Sequence, residues 1–130
     1  MKMIINGKKV DSVSGETFDV LAPATGKVIE SVPKATAEDV EKAIDAAVAG
    51  QKVWEQVPIS ERAKVLYKFL DIVEQNKESL AQTLSAENGK PINEARAEIG
   101  NINIGFSGFI EHAKHYYGSI IPPGTEARSE

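Results

Sequence analysis

The stretch from Thr36 to Trp54, TAEDVEKAIDAAVAGQKVW, divides the chain into two kinds of structure. Thr36 and Asp39 have the spacing of a capping box, in which each side chain bonds the backbone N–H of the other residue. Apolar residues then recur at helical spacing. We therefore predict a helix over about residues 37–54, and helical structure after it. The apolar positions are Val40, Ala43, Ile44, Ala47, Val48 and Trp54.

Before this helix the sequence favours short strands. The dipeptide Asn6-Gly7 tolerates the positive φ angles of a type I′ turn, and β-prone runs flank it on both sides. This pattern predicts an N-terminal hairpin. Two further β-prone runs, Thr17–Leu21 and Lys27–Val32, are separated by residues 22–26, whose Pro and Gly favour a turn.

After Trp54 the pattern predicts three more helices. Pro58 and Ser60 begin one that ends near Asn76, and a shorter one covers about residues 80–86. The dipeptide Asn88-Gly89 suits a left-handed cap at the end of that shorter helix.

The last helix begins after Pro91, which can occupy a first helical turn without losing a hydrogen bond. Its apolar residues recur at alternating steps of three and four, which predicts one continuous buried seam. Three glycines on the same helix weaken it relative to alanine, so we expect another element to pack closely beside them. The seam residues are Ile92, Ala95, Ile99, Ile102, Phe106, Phe109, Ala113 and Tyr116, and the glycines are Gly100, Gly105 and Gly108.

The predicted fold is therefore α+β, with a strand segment at residues 1–35, a bundle of about four helices at residues 36–118 and a polar tail at residues 119–130. The 130 residues are 42% hydrophobic and 26% charged, as in an ordinary globular domain. The net charge of -4 is spread along the chain, so no basic face for nucleic acid is expected. No apolar run is long enough to cross a membrane. We expect a cytoplasmic protein.

Several segments, taken in order, resemble the N-terminal part of the aldehyde dehydrogenase superfamily. Their order and spacing both fit, and together they extend over essentially the whole chain. One departure is Ala22, which stands where the family usually has Asn before Pro. The segments are Ile5–Lys8, Val20–Ile29, Val32–Val40, Trp54, the helix around Arg62, Glu87–Pro91, Tyr117–Gly118 and Ile121–Pro122.

The resemblance implies an oxidoreductase that converts an aldehyde to a carboxylic acid with NAD or NADP. In the family a Cys thiolate forms a thioester, an Asn side chain helps to hold the oxyanion, and a Glu activates the hydrolytic water. This chain contains no Cys and no G-x-G-x-x-G motif. The resemblance therefore implies a parent protein that binds NAD or NADP, acts on an aldehyde and forms a homo-oligomer. The 130 residues alone are expected to bind no cofactor and to be inactive.

Two candidate sites follow from the resemblance. Ile102 and Phe106 would line the tunnel by which the aldehyde reaches the Cys; as members of an apolar stripe, they could equally be core residues. Glu87 would lie near a structural monovalent cation that is held partly by a backbone carbonyl from the strand containing Val20. Glu87 could equally be a solvated side chain at a helix end. The alternative function is an independent helical module for protein interaction.

Overall fold

The computed structural model describes residues 1–118 and shows four strands followed by four helices within them. This order confirms the predicted α+β fold. The predicted tail at residues 119–130 lies outside the described residues. The strands are β1 (Met3–Ile5), β2 (Lys8–Val10), β3 (Thr17–Leu21) and β4 (Val28–Pro33), and the helices are α1 (Ala37–Trp54), α2 (Ile59–Gln75), α3 (Lys77–Asn88) and α4 (Ile92–Lys114).

The strands form two separate antiparallel hairpins, β1 with β2 and β3 with β4. Asn6 and Gly7 have φ angles of 50° and 71°, as a type I′ turn requires. In the second hairpin Phe18 is paired with Val32, and the register shifts between Val20 and Leu21. A two-stranded hairpin is marginally stable by itself. Both hairpins therefore depend on the elements beside them.

The predicted capping box begins α1. The Thr36 side chain accepts a hydrogen bond from the Asp39 backbone N–H, and the Asp39 carboxylate accepts one from the Thr36 backbone N–H at 2.9 Å. Asp39 is buried and also accepts hydrogen bonds from the Ser12 hydroxyl and the Val13 backbone N–H. These bonds fix the start of α1 to the loop between the two hairpins. In the rest of α1, Val40, Ile44 and Val48 form an exposed apolar stripe.

Helices α2 and α3 both pack against α4, and the contacts form two adjoining core clusters. Ile102 contacts both clusters, which makes it the apolar residue that joins them. The first cluster contains Val73, Ala81, Ala95 and Ile99, and the second contains Ala63, Leu70 and Ile110.

The predicted buried seam on α4 is correct in its first half and wrong in its second. Ala95 and Ile99 are buried, whereas Phe109 is 75% exposed and Ile110, its neighbour, is 3% exposed. Strict alternation of threes and fours repeats every 3.5 residues, and a straight helix drifts from that repeat by roughly 20° per heptad. Phe109 and Ala113 therefore lie at the edge of the contact with α2 rather than within it, and both are exposed, as is Tyr116.

The other predicted helix boundaries differ less from those in the structure. The third helix runs from Lys77 to Asn88, five residues longer in total than the predicted range of 80–86. The last helix ends at Lys114, so Tyr116 lies beyond it. Gly89 has a φ angle of 81°, which confirms the left-handed cap after α3.

The expected close packing at the α4 glycines is wrong for two of the three within residues 1–118. A Cβ atom built on Gly100 would lie 3.5 Å from the Lys77 ammonium nitrogen. A Cβ atom built on Gly105 or Gly108 would meet no atom within 4 Å. These two positions face open space in the described part of the chain.

Candidate functional site

An apolar groove lies between α2 and α4 in the described residues. Its volume is about 180 Å³, enough for one aromatic or branched side chain or a ligand of similar size. The lining contains no ionisable group, so the groove can bind an apolar group but cannot transfer a proton. The lining residues are Ile59, Ala63, Leu66, Phe106, Phe109, Ile110 and Ala113.

The two predicted tunnel residues occupy different environments. Phe106 is 44% exposed and lines the groove, and its ring packs at a tilt against Phe69, with 5.7 Å between ring centres. Ile102, one turn earlier on α4, is half-buried between the two core clusters and does not line the groove. The packing of Ile102 agrees with the core alternative, while Phe106 is in a position to contact a ligand.

A polar network joins α2 to α4 beside the groove. The Tyr67 hydroxyl donates to Glu111, and the Lys114 ammonium lies 2.9 Å from the same carboxylate. The hydrogen bond from Tyr67, with Lys114 as the next contributor, lowers the pKa of Glu111. The hydrogen bond to Glu111 raises the pKa of Tyr67. At neutral pH the carboxylate is therefore ionised and the phenol protonated, which suits a structural link.

No local sequence pattern indicates this network, because Tyr67 and Glu111 are 44 positions apart. The histidines near it remain on the surface. His112 and His115 are both exposed, and the His115 Nε2 atom lies 4.0 Å from a Glu111 oxygen. Within residues 1–118 there is no group of three or more His, Asp or Glu side chains that could hold a metal ion.

The candidate cation residues lie near a point where the strand and helical parts meet. A Cβ atom built on Gly89 would lie 3.2 Å from the Pro23 Cβ atom, so the turn after β3 touches the end of α3. Val20 is half-buried on β3, and Glu87 is exposed in the last turn of α3. Val20 is three positions before Pro23 in the sequence, and Glu87 is two positions before Gly89. The cation site itself stays a prediction.

Comparison with known proteins identifies the family. A family model described as the aldehyde dehydrogenase family matches residues 9–130. The chain belongs to this family. The malonate-semialdehyde dehydrogenase of Bacillus cereus (strain AH187) is 44% identical over 99 residues, which are 76% of this chain and 20% of that protein. The chain thus spans about a fifth of the length of the curated relatives it matches.

Two solved enzyme structures have the same fold over this segment. An NAD-dependent aldehyde dehydrogenase from Sinorhizobium meliloti superposes with a TM-score of 0.86 at 36% identity, covering 91% of this chain and 24% of that one. An NADP-dependent enzyme from E. coli superposes with a TM-score of 0.88 at 35% identity, covering 95% of this chain and 26% of its own.

The described helices begin in different ways. In α1 the Asp39 backbone N–H is bonded to the Thr36 side chain, whereas α2 and α4 begin directly after Pro58 and Pro91. No helix within residues 1–118 is long and apolar enough to span a membrane.

Proposed function

We propose that this chain is the N-terminal segment of an NAD(P)-dependent aldehyde dehydrogenase that oxidises an aldehyde to a carboxylic acid through a Cys thioester. The observation that carries the proposal is the superposition of nearly the whole chain on about a quarter of each solved relative. In this proposal the Cys, the oxyanion-binding Asn, the general base and the cofactor site belong to the rest of the parent protein. The segment by itself binds no cofactor and is inactive.

The exposed apolar side chains support a segment more than an independent module. A self-sufficient domain of this size buries its large apolar residues, and exposed apolar patches mark surfaces that contact something else. In this chain Phe109, Tyr116 and Tyr117 are 75%, 68% and 88% exposed. No large side chain in residues 1–118 is completely buried. Such exposed aromatic side chains and so small a core are expected of a segment that packs against further polypeptide.

Within the parent enzyme we assign the groove between α2 and α4 to one side of the aldehyde path, with Phe106 as its wall. The groove has an apolar lining and Phe106 is accessible from it. Ile102 would then support Phe106 from the core, one helical turn away. An apolar wall excludes water and contacts the hydrocarbon part of an aldehyde, so it favours the free aldehyde over its hydrate.

The activity test compares two proteins. Residues 1–118 replace the superposed part of the Sinorhizobium meliloti enzyme, and this chimera and the 130-residue chain are each assayed for aldehyde-dependent reduction of NAD and of NADP. We expect turnover only by the chimera. Turnover by the pure 130-residue chain would contradict the proposal. So would a stable, folded chimera without any activity.

The role of Phe106 is tested in the same chimera. Phe106→Ala should raise KM for a longer aliphatic aldehyde more than for a short one, because only the longer chain reaches the wall. Phe69→Ala is the matched control, since Phe69 packs on Phe106 but does not line the groove. Equal effects of the two substitutions on both aldehydes would show that Phe106 acts only through packing.

We also propose that the parent holds a monovalent cation near Glu87 and the backbone carbonyl of Val20, works in the cytoplasm and forms a homo-oligomer. Hard cations prefer such oxygen ligands. Titration of the chimera with KCl, with choline chloride as the ionic-strength control, should raise its melting temperature only with K⁺. Glu87→Gln should weaken that response. Identical curves for the two salts would contradict the cation site.

A further inference from the structure

The chain contains two Asn-Gly dipeptides in different backbone settings. Asn6-Gly7 forms the turn of the first hairpin, and Asn88-Gly89 ends α3. Both asparagine side chains are exposed, so water has access to each of them. An Asn followed by Gly is chemically labile, because glycine has no side chain to hinder attack by its own backbone nitrogen on the asparagine amide. The two dipeptides therefore allow one reaction to be compared in two settings.

The reaction is deamidation through a cyclic imide. The glycine backbone nitrogen bonds to the asparagine Cγ atom and the Cγ–Nδ2 bond breaks. The displaced amino group takes up the proton of the glycine nitrogen and leaves as ammonia. One water molecule then opens the imide at either carbonyl, which gives aspartate or isoaspartate, so water is the only co-reactant. Ring closure requires rotation about the asparagine Cα–C bond, so the local backbone must be able to leave its native conformation.

The backbone at Asn6 has few contacts that would resist this rotation. Each strand beside it is three residues long, and a hairpin of two strands is marginally stable. Asn6 has a φ angle of 50°, and a Cβ atom built on Gly7 would meet no atom within 4 Å. The paired residues that flank the turn are Ile5 and Lys8, and within residues 1–118 the Gly7 N–H donates no backbone hydrogen bond. The turn can therefore open without breaking a bond of the attacking nitrogen.

The ion pairs of the first hairpin lie at its base. Lys2 is paired with Asp11 at 2.8 Å, and the Met1 amine contacts the Glu30 carboxylate. All four groups are exposed, and exposed ion pairs stabilise a fold only slightly. These contacts hold the ends of the hairpin and leave the turn free to open.

Three contacts hold the backbone at Asn88. The Gly89 N–H donates to the Ser85 carbonyl at 2.9 Å, and the Ser85 hydroxyl donates to the Lys90 carbonyl at 2.7 Å. A Cβ atom built on Gly89 would lie 3.2 Å from the Pro23 Cβ atom, so the turn after β3 packs against this cap. Rotation at Asn88 would disturb all three contacts. The nitrogen that would attack is also the donor of the first of them.

The charges near the two dipeptides also differ. The attacking nitrogen becomes negative as it loses its proton, and a nearby cation favours the charged form. Two lysines, Lys8 and Lys9, follow the first dipeptide. One lysine, Lys90, follows the second, but its ammonium is paired with Glu98, and the C-terminal end of a helix such as α3 is the negative end of its dipole. Proton loss is therefore easier at Gly7.

We propose that Asn6 is a site of spontaneous deamidation and that the fold protects Asn88 from the same reaction. The modified chain carries one negative charge more than the net charge of -4 of the unmodified chain. Isoaspartate also adds a methylene group to the backbone of a turn that fixes the register of its strands. The isoaspartate product therefore loosens the first hairpin. This modification does not depend on the activity of the parent protein.

The test follows both dipeptides in the folded 130-residue chain by peptide mapping. The chain is incubated at mildly alkaline pH, and circular dichroism checks that it stays folded. Mass spectrometry then measures deamidation in the tryptic peptides of residues 3–8 and 78–96, relative to a sample taken at the start, and fragment ions distinguish Asn88 from Asn93. We expect Asn6 to react roughly tenfold faster than Asn88 or more, which corresponds to a difference of about 1.4 kcal/mol in the free energy of local opening.

The chain unfolded in guanidinium chloride is the matched control, because both dipeptides then have a flexible backbone. The two rates should become similar there, mainly because Asn88 reacts faster than in the folded chain. Ser85→Ala is a second control in the folded chain. It removes the hydrogen bond to the Lys90 carbonyl, so it should raise the rate at Asn88 and leave the rate at Asn6 unchanged.

Two results would overturn the proposal. One is an Asn6 that stays unmodified in the folded chain but reacts in guanidinium chloride, since the hairpin would then protect it. The other is an equal rate at Asn6 and Asn88 in the folded chain. If the isolated chain does not stay folded, the chimera with the Sinorhizobium meliloti enzyme takes its place and the same two results decide. The enzymatic activity of the chimera does not enter this measurement, so the proposed function is tested separately.

Discussion

The substitution pair Ile110→Ala and Phe109→Ala is the most direct test of how α4 packs, because the sequence pattern and the structure make opposite predictions for these neighbours. The seam pattern buries Phe109, whereas the structure buries Ile110 at 3% exposure beside Ala63 and Leu70. Truncation of a buried Ile to Ala costs about 2–5 kcal/mol, and this cluster is small, so we expect about 3 kcal/mol for Ile110. An exposed truncation should stay within about 0.5 kcal/mol.

The assay is urea unfolding followed by circular dichroism, with thermal melts as a check, at low protein concentration to limit self-association. A loss of about 3 kcal/mol corresponds to a fall of roughly 10 °C in melting temperature for a chain of this length. Both substitutions introduce Ala, the best helix former, so helix propensity favours the variant in each case. If Phe109→Ala destabilises the chain as much as Ile110→Ala, the described packing of α4 against α2 is wrong.

Three further substitutions test the elements around that core. The hydrogen bonds from Thr36, Ser12 and Val13 lower the pKa of Asp39 from 3.8 to about 2, with the Thr36 backbone N–H as the largest cause. The stability that ionised Asp39 contributes is complete above about pH 4 and is lost as the pH falls towards 2. The melting temperature of Asp39→Asn should therefore be lower than that of the unmodified chain at neutral pH. The difference in melting temperature should narrow as the pH falls from about 4 to 2. A difference that does not change with pH would contradict the stabilising role of ionised Asp39. Gly89→Ala should lower the free energy of unfolding in urea by about 1–2 kcal/mol, because the φ angle of Gly89 is positive. An unchanged free energy of unfolding would mean that residue 89 can leave the left-handed conformation without cost. Arg96→Ala removes an exposed ion pair with Glu78, so its melting temperature should fall less than that of Gly89→Ala.

The local features of the fold could be predicted from the sequence because each depends on residues close together in the chain. The Asn6-Gly7 turn, the Thr36–Asp39 cap and the left-handed Gly89 all follow from the conformational preferences of one or two residues. They are present as predicted. The predicted ends of α3 and α4 were less accurate, because helix ends depend on hydrogen bonds that cannot be predicted from the spacing of apolar residues.

The tertiary features were harder to predict because they join distant positions. The Tyr67–Glu111 bond and the contact of Pro23 with Gly89 connect residues that no local pattern relates. On α4, hydrophobicity alone does not distinguish Phe109 from Ile110, since both are apolar and adjacent. The helical phase decides which one is buried, and a heptad pattern gives that phase wrongly after three turns.

The buried Asp39 carboxylate also limits where this polypeptide can be shortened. Two of its hydrogen-bond donors, Ser12 and Val13, precede α1 by more than twenty residues and belong to the loop between the hairpins. A chain beginning after Val13 would keep every residue of α1 but leave a buried negative charge with fewer donors, which is costly. Ser12 and Val13 therefore stabilise the start of the first helix, although neither is part of it.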